Sequence, residues 1–233
     1  MSSTTYDIRR SELRAYFDSS AYEAWARLTS DSPVSRIRAT VRAGRARMRQ
    51  LLLDWLPADL SGVRLLDAGC GTGALALEAA ARGAEVVAVD VSPMLVRLAV
   101  ERHPSQASPG RVTFCVGDML DDSLGSFDYV VAMDSLIHYE TADVVAAVSR
   151  LARRTRCGIL FTFAPRTPAL TLMHAVGRMF PRGSRAPAIA PISETCLSDR
   201  LTGDAALVEW ELQRSMRIHE GFYTSQAQEL VHR

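Results

Sequence analysis

The segment Leu65-Leu66-Asp67-Ala68-Gly69-Cys70-Gly71-Thr72-Gly73-Ala74 decides the fold of this chain. It completes a short apolar run that begins at Val63, and it leads into an alanine-rich helical stretch that Gly83 closes. The glycines at 69 and 71 let the backbone turn tightly and approach a ligand closely. A strand, a glycine-rich turn and a helix in this order predict a ligand-binding βα unit.

The same alternation of strands and helices continues along the chain. Four more apolar segments follow, with the sequences EVVAVD, RVTFCVGD, FDYVVAMD and CGILFTFA. Such alternation implies right-handed crossovers and a parallel sheet, and near-continuous apolar strands are typical of a sheet buried on both faces. Two strand-like runs around Glu220-Gly221 predict an antiparallel edge hairpin. We therefore expect an α/β, Rossmann-like fold with a mostly parallel seven-stranded sheet and helices on both faces.

Length and composition limit the classes of protein that this chain represents. The 233 residues predict one large domain with additions. The net charge is +1, from 27 basic and 26 acidic residues, so we expect no nucleic-acid partner. Every basic residue is arginine. The four cysteines match no metal-ligand spacing, and no signal sequence precedes them, which predicts a cytoplasmic protein with reduced thiols and no protein-bound metal.

The chain divides into a core and two additions. Residues 1–62 are predicted to form an N-terminal helical cover, and residues 63–233 a domain with an inserted, proline-rich lid at about 165–205. In the cover, a helix is expected from Arg36 to Leu56, where Pro57 ends it. Between Arg36 and Arg49 this helix carries six arginines and no acid. That run is either a solvated face or an anion-binding surface for a carboxylate or a membrane.

Three aspartates at the ends of three strands indicate the ligand. Asp67 lies two residues before the first glycine, where its carboxylate would repel a pyrophosphate and suit an ammonium group. This disfavours the dinucleotide fingerprint, which Gly69-x-Gly71-x-x-Ala74 also fits. Asp90 can accept hydrogen bonds from both hydroxyls of a ribose. Asp118 can accept one from the amine of adenine, while Met119 packs on the ring.

A ligand with ammonium, ribose and adenine groups and no phosphate is S-adenosylmethionine, and the carboxyl ends of adjacent strands are where open α/β sheets bind ligands. The alternative is three ordinary turn-initiating aspartates. The ordered motifs of residues 63–164 resemble the class I S-adenosylmethionine-dependent methyltransferases. The cofactor-binding residues expected on this basis are Asp67, Gly69, Cys70, Gly71, Gly73, Asp90, Val91, Ser92, Met94, Asp118, Met119, Met133 and Asp134.

The segment after the fourth strand, residues 133–139, is expected to face the methyl group. Methyl transfer requires alignment of the nucleophile, the methyl carbon and the departing sulfur. A hydroxyl or amine nucleophile also needs a base, for which His138 is the candidate. A carboxylate nucleophile is already ionised and needs positioning only. The alternative is that His138 merely begins a helix.

Four segments together resemble one family: residues 16–28, Arg42-Ala43-Gly44 with its arginine-rich helix, residues 134–139 and residues 221–225. The family is the magnesium-protoporphyrin IX O-methyltransferases of bacteriochlorophyll and chlorophyll biosynthesis. The resemblance implies esterification of one propionate, giving the monomethyl ester and S-adenosylhomocysteine. It also implies that His138 helps to position that propionate.

Further site residues are predicted from this resemblance. Tyr16 and Tyr139 join His138 as candidate catalytic residues. Relatives often carry a tyrosine where this chain has Thr29, which leaves the tyrosine role open. A flat macrocycle needs a large apolar cleft. The candidate substrate-binding residues are Arg27, Arg38, Tyr22, Trp25, Met173 and His174.

Two assignments stay open. Arg27, Arg38 and Arg42 are candidates to bind the second propionate; alternatively, Arg42 binds the carboxylate of S-adenosylmethionine. His138 or His174 is a candidate axial ligand of the substrate's magnesium. The expected partners are magnesium protoporphyrin IX, the magnesium chelatase large subunit and, peripherally, the photosynthetic membrane. Two other functions stay open: another small-molecule O-methyltransferase, such as one acting on a quinone-precursor phenol, and a non-catalytic cofactor- or tetrapyrrole-binding protein.

Overall fold

The structure is a computed structural model that describes residues 4–19, 22–29, 33, 35–103, 108–166 and 188–233, without the side chains of residues 22–24. Its seven strands are β1 (Arg64–Ala68), β2 (Glu85–Asp90), β3 (Arg111–Val116), β4 (Phe127–Ala132), β5 (Thr155–Phe163), β6 (Trp210–Glu220) and β7 (Tyr223–His232). They form one sheet in the order β3-β2-β1-β4-β5-β7-β6. The first five strands of this order are parallel, and β7 runs antiparallel to both β5 and β6. The predicted fold class is confirmed.

Helices cover both faces of the sheet. They are α1 (Thr4–Phe17), α2 (Tyr22–Leu28), α3 (Arg36–Trp55), α4 (Ala74–Ala81), α5 (Pro93–Arg102), α6 (Thr141–Ala152) and α7 (Glu194–Thr202). Side chains of α1, α6 and α7 share one apolar core with the sheet, and side chains of α3 and α4 share a second. Burial of these two cores is the main stabilisation of the fold. Within the described ranges, no helix combines the length and apolar character that crossing a membrane requires.

The arginine-rich helix α3 changes character along its length. Ser35 caps its first turn by accepting a hydrogen bond from the backbone N–H of Arg38. Met48 and Leu52, in the second half, are fully buried in the core that α3 shares with the sheet. Ile37, in the first turn, is 52% exposed. The first turn of α3 therefore extends beyond the core.

The structure describes only part of the predicted lid at about 165–205. Residues 167–187, which include Met173 and His174, lie outside the described residues. After them, the backbone N–H of Ile192 donates to the carbonyl of Ala164, and α7 buries Leu197 and Leu201 against the core that α6 shares. The apolar side chains of α7 thus pack into the domain, and the lid stays a prediction.

Candidate active site

The glycine turn after β1 requires glycine at two positions. Gly69 has a φ of +83°, and a Cβ atom there would lie 2.4 Å from the Cβ atom of Ser135. Gly73 has a φ of +80°, and a Cβ atom there would lie 2.6 Å from the ring of Phe114. Both positions combine a left-handed backbone with a close neighbour, which only glycine tolerates. The turn thereby brings the backbone of residues 69–71 to the edge of a cavity.

The two aspartates predicted for the ammonium and the ribose lie together behind this turn. Asp67 is 1% exposed, and within the part of the chain that the structure describes its Oδ2 atom has no hydrogen-bond partner. Burial, and then the nearby charge of Asp90, raise the pKa of Asp67 to about 7. A buried carboxylate oxygen without a hydrogen-bond partner is a costly arrangement that a bound cation relieves. The site therefore fits the amino group of S-adenosylmethionine.

Asp90 is held in place by the backbone. Its Oδ2 accepts from the N–H of Gly71 and its Oδ1 from the N–H of Ser92, both at 2.9 Å. Burial raises the pKa of Asp90. Each carboxylate oxygen has a second lone pair, and Asp90 lines the cavity, so both can also accept from ribose hydroxyls. The fixed carboxylate fits the predicted ribose contact.

Asp118 was predicted to contact adenine, but its carboxylate contacts side chains of α1. Its Oδ1 accepts from the hydroxyl of Tyr6 at 2.7 Å, and its Oδ2 accepts from the guanidinium of Arg10. Gly117 and Met119 line the cavity, whereas Asp118 does not. The structure thus directs this carboxylate toward α1, and the adenine contact of Asp118 stays a prediction.

The main cavity has a volume of about 350 Å³ and lies at the carboxyl ends of the strands. Beside the cofactor turn, much of its wall is aromatic. The aromatic lining residues are Tyr16, Phe17, Trp25, Tyr139, Phe222 and Tyr223. The predicted residues Gly69, Gly71, Asp90, Val91, Met119, Met133, Asp134 and His138 line it too. One cavity therefore joins the predicted cofactor and catalytic residues.

A second cavity of about 300 Å³ lies on the other side of the glycine turn. Its walls include Asp67 and Cys70 from the turn and three arginines of α3, Arg42, Arg45 and Arg49. Arg42 donates to the carbonyls of residues 27 and 28, so it also braces the end of α2. This cavity is suited to the amino-acid part of the cofactor.

Six of the described residues that were predicted to bind cofactor or substrate line neither cavity: Gly73, Ser92, Met94, Asp118, Arg27 and Arg38. Ser92 caps α5 by accepting from the N–H of Leu95, and Met94 lies in the first turn of that helix. Arg27 and Arg38 are exposed on α2 and α3. The contacts of Arg27 and Arg38 with the substrate stay predictions. The side chain of Tyr22 is not among those described.

The three candidate catalytic side chains surround the main cavity. His138 ends a short 3₁₀ helix (Leu136–His138), and its Nδ1 atom lies 3.4 Å from the carbonyl oxygen of Ala188. Tyr139 is buried and stacks on the ring of Tyr6, with ring centroids 4.8 Å apart. Burial raises the pKa of both Tyr16 and Tyr139, so their hydroxyl groups stay neutral hydrogen-bond donors.

Sequence reasoning missed one polar cluster at the junction of the two cavities. Asp134, with a φ of +53°, accepts from Arg45 Nη1 at 2.6 Å and from the hydroxyl of Tyr223 at 3.0 Å. The hydroxyl of Ser225 donates to the same carboxylate. Arg45 stood out only as one of six arginines, and Tyr223 only as part of residues 221–225. Arg45 lies 89 positions before Asp134 and Tyr223 lies 89 positions after it, so no local sequence pattern indicated these contacts.

The sheet order, the glycine turn and the buried aspartates define the class of protein: this is a class I S-adenosylmethionine-dependent methyltransferase. The family described as "Methyltransferase domain" matches residues 65–158. The family described as "Magnesium-protoporphyrin IX methyltransferase C-terminus" matches residues 132–232.

Individual relatives identify the family more closely. The chain is 46% identical to the magnesium-protoporphyrin O-methyltransferase of Rhodobacter capsulatus, over 94% of this chain and 95% of the relative. It is 33% identical to the Synechocystis enzyme of the same name, over 74% and 76%. A crystal structure of the Synechocystis magnesium protoporphyrin IX methyltransferase with bound S-adenosylhomocysteine superposes with a TM-score of 0.83, at 28% identity and coverage of 96% and 99%. The chain belongs to the magnesium-protoporphyrin O-methyltransferase family.

Proposed function

We propose that this protein transfers the methyl group of S-adenosylmethionine to a propionate carboxylate of magnesium protoporphyrin IX in bacteriochlorophyll or chlorophyll biosynthesis. The products are the monomethyl ester and S-adenosylhomocysteine. The observation that carries the proposal is the aromatic cavity that adjoins the glycine turn, in a chain that is similar to the Rhodobacter capsulatus enzyme over nearly its whole length. A flat apolar macrocycle and a polar cofactor need such adjoining surfaces.

The residues at the cavity suit a reaction that consists mainly of alignment. When bound, S-adenosylmethionine supplies an electrophilic methyl group on a sulfonium. We assign Asp67 to its ammonium group and Asp90 to its ribose, and the glycine turn lets the backbone approach it. A propionate is ionised at neutral pH, so no base has to remove a proton from it.

His138 fits a positioning role for the propionate. While Nδ1 donates to the carbonyl of Ala188, Nε2 can donate to a propionate only when the ring is doubly protonated, because a carboxylate only accepts hydrogen bonds. The ring lies at the cavity and not in the cofactor turn. Replacement His138→Phe is therefore expected to lower turnover about tenfold or more while leaving the affinity for S-adenosylhomocysteine unchanged. Full activity of this variant would remove His138 from the catalytic residues.

The transfer is tested with pure protein, radiolabelled S-adenosylmethionine and magnesium protoporphyrin IX. We expect a labelled monomethyl ester, and none when the dimethyl ester of the same porphyrin replaces the free acid, because that compound has no free carboxylate. Absence of label from the porphyrin would refute the proposal. Label on a quinone-precursor phenol, and a rate that falls as His138 is protonated, would favour a phenol O-methyltransferase instead.

We also propose that the mouth of the cavity rests on an anionic membrane, so that the protein is cytoplasmic and peripherally bound to the photosynthetic membrane. Phe222, 61% exposed, lines the cavity, and its N–H donates to the hydroxyl of Thr40 on α3. Ile37, 52% exposed, precedes Thr40 by one helical turn, between Arg36 and Arg38. Exposed apolar side chains next to arginines are typical of surfaces that bind anionic lipids.

Sedimentation with vesicles tests the membrane contact. Vesicles that contain phosphatidylglycerol are expected to bind the protein more strongly than pure phosphatidylcholine vesicles, and Ile37→Asn is expected to weaken that binding. Val208→Asn, at a more exposed apolar residue outside this surface, is the control. Equal binding by all three proteins would refute the surface. Substrate delivery by the magnesium chelatase large subunit is proposed too, and failure of the two purified proteins to associate would contradict it.

A further inference from the structure

Arg45 is held at the point where the two cavities meet. It lines both of them, together with Trp25, Gly69, Gly71 and Met133. Its guanidinium lies over the ring of Trp25, 4.7 Å from the ring centroid, and its Nη1 atom pairs with Asp134 at 2.6 Å. A cation that is fixed on two sides in this way loses little further conformational entropy when it binds an anion.

The supports of Arg45 are themselves fixed. The carboxylate of Asp134 is 5% exposed and accepts from the hydroxyls of Tyr223 and Ser225. Its backbone N–H donates to the hydroxyl of Thr162 at 2.8 Å. The left-handed φ of Asp134 costs about 1 kcal/mol or more, and such a conformation persists only where the surroundings hold it. Strain at a cavity wall often belongs to a functional arrangement.

Tyr223 is in turn fixed against α3. A Cβ atom at Gly44 would lie 2.4 Å from the ring of Tyr223, so the glycine lets the helix and the ring pack together. Burial raises the pKa of Tyr223, which keeps its hydroxyl a neutral donor to Asp134. Helix α3 thus carries Arg45 and, at Gly44, also packs against Tyr223, which fixes Asp134, the partner of Arg45.

The other two arginines of the second cavity have different tasks. Arg42 donates to backbone carbonyls of residues 27 and 28, and Arg49 pairs with Glu78 at 2.5 Å. Neither lines the main cavity. Among the three, Arg45 alone reaches both the aromatic cavity and the cavity behind the glycine turn.

We propose that Arg45 binds a ligand carboxylate at the junction of the two cavities, and that Asp134, Tyr223 and Trp25 are positioning residues that aim its guanidinium. The proposal rests on the proposed function, under which two bound molecules bring carboxylates: the amino-acid part of the cofactor and the propionates of the acceptor. Arg45 binds by charge-assisted hydrogen bonds, for which the guanidinium has donors beyond the one that Asp134 uses.

Binding measurements on Arg45→Met distinguish the two sources. If the carboxylate is that of the cofactor, the affinity for S-adenosylhomocysteine falls about tenfold or more by calorimetry, while its decarboxylated analogue binds variant and wild type equally. If it is that of the acceptor, the cofactor affinity stays the same. The affinity for magnesium protoporphyrin IX, from fluorescence quenching, then falls, and that for magnesium octaethylporphyrin, which has no carboxylate, does not.

Either pattern supports the proposal, and two results overturn it: no loss of affinity for either ligand, or equal losses for the carboxylate-free analogues. Arg47→Met is the matched control, since Arg47 lies on the same helix and pairs with Glu220 at the surface. Arg45→Lys, which keeps the charge, is a second variant should the methionine variant not fold.

The positioning roles are tested by double-mutant cycles. Asp134→Asn and Tyr223→Phe are each expected to weaken binding of the same carboxylate ligand several-fold, and to have no further effect in the Arg45→Met background. Additive losses would show that the two residues act only through the fold. Calorimetry with S-adenosylhomocysteine needs no acceptor, so it tests the cofactor arm even if the labelled-ester assay fails.

Discussion

The glycine turn of residues 65–73 and the helices α1, α2 and α3 of the predicted N-terminal cover line the same cavity, but their contacts differ in kind. The turn is held by neighbours in sequence and by the adjacent strand, such as the N–H of Gly69 that donates to the carbonyl of Val89. The cover is held by side chains from distant parts of the chain, such as Asp18 with Ser92 and Arg10 with Asp118. The backbone of the glycine turn is therefore fixed mainly by local contacts, whereas the enclosure of the site and the Arg45–Asp134 pair depend on tertiary packing.

The largest effect is expected for Gly69→Ala. The new side chain would have to adopt a φ of +83° with its Cβ atom 2.4 Å from that of Ser135. We expect a loss of stability of about 2–4 kcal/mol, measured by urea denaturation, and loss of cofactor binding. Gly62→Ala is the matched control, because Gly62 has a φ of +77° but nothing near its Cβ position. Equal losses for both would show that backbone strain alone matters.

The second-largest effect is expected for Asp90→Ala, on the binding of the cofactor. The substitution removes the acceptor of two backbone N–H groups and of the ribose hydroxyls, so we expect the affinity for S-adenosylhomocysteine to fall at least about tenfold. Asp121→Ala removes an aspartate that caps an exposed turn, and it serves as control. Unchanged affinity in Asp90→Ala would refute the ribose role.

Asp67 predicts a pH dependence with a definite sign. Its folded-state pKa, about 7, lies above its ordinary value, so without cofactor the folded protein binds more protons than the unfolded chain between about pH 4 and pH 7. Stability therefore decreases as the pH rises through that range. Cofactor binding requires the ionised carboxylate, so affinity should decrease below pH 7, by up to about tenfold per unit. Asp67→Asn should remove this dependence in calorimetry, and a persisting slope would contradict the assignment.

The smallest effect is expected in the cover. Tyr6→Phe removes one hydrogen bond to Asp118 but keeps the stacked ring, so we expect a loss of stability of about 1–2 kcal/mol. If the cover only encloses the site, the affinity for S-adenosylhomocysteine should hardly change. A loss of affinity larger than the loss of stability would mean that α1 belongs to the cofactor site and does more than enclose it.

Sequence reasoning predicted the sheet, its edge hairpin, the turn glycines and the placement of Asp67 and Asp90, because strand periodicity and glycine conformations are local properties. It assigned the residues of α7 to a lid, and the structure packs their apolar side chains into the core, because an apolar pattern alone does not distinguish a cover from a core helix. It chose Arg27 and Arg38 for substrate and overlooked Arg45. All three arginines lie in helical segments of the cover, and only packing decides which of them faces the cleft.

By itself, the sequence determined the fold class, the cofactor turn and, through its resemblance to one family, the expected reaction. Three features depended on the tertiary structure. Residues of α1 bind Asp118, and Arg45, unlike the neighbouring arginines of α3, lines both cavities. Asp134 pairs with Arg45 and is itself fixed by Tyr223. The physical reason is distance along the chain. A turn is specified by the conformations of a few adjacent residues, whereas an ion pair between residues 45 and 134 exists only after the sheet and the cover have packed together.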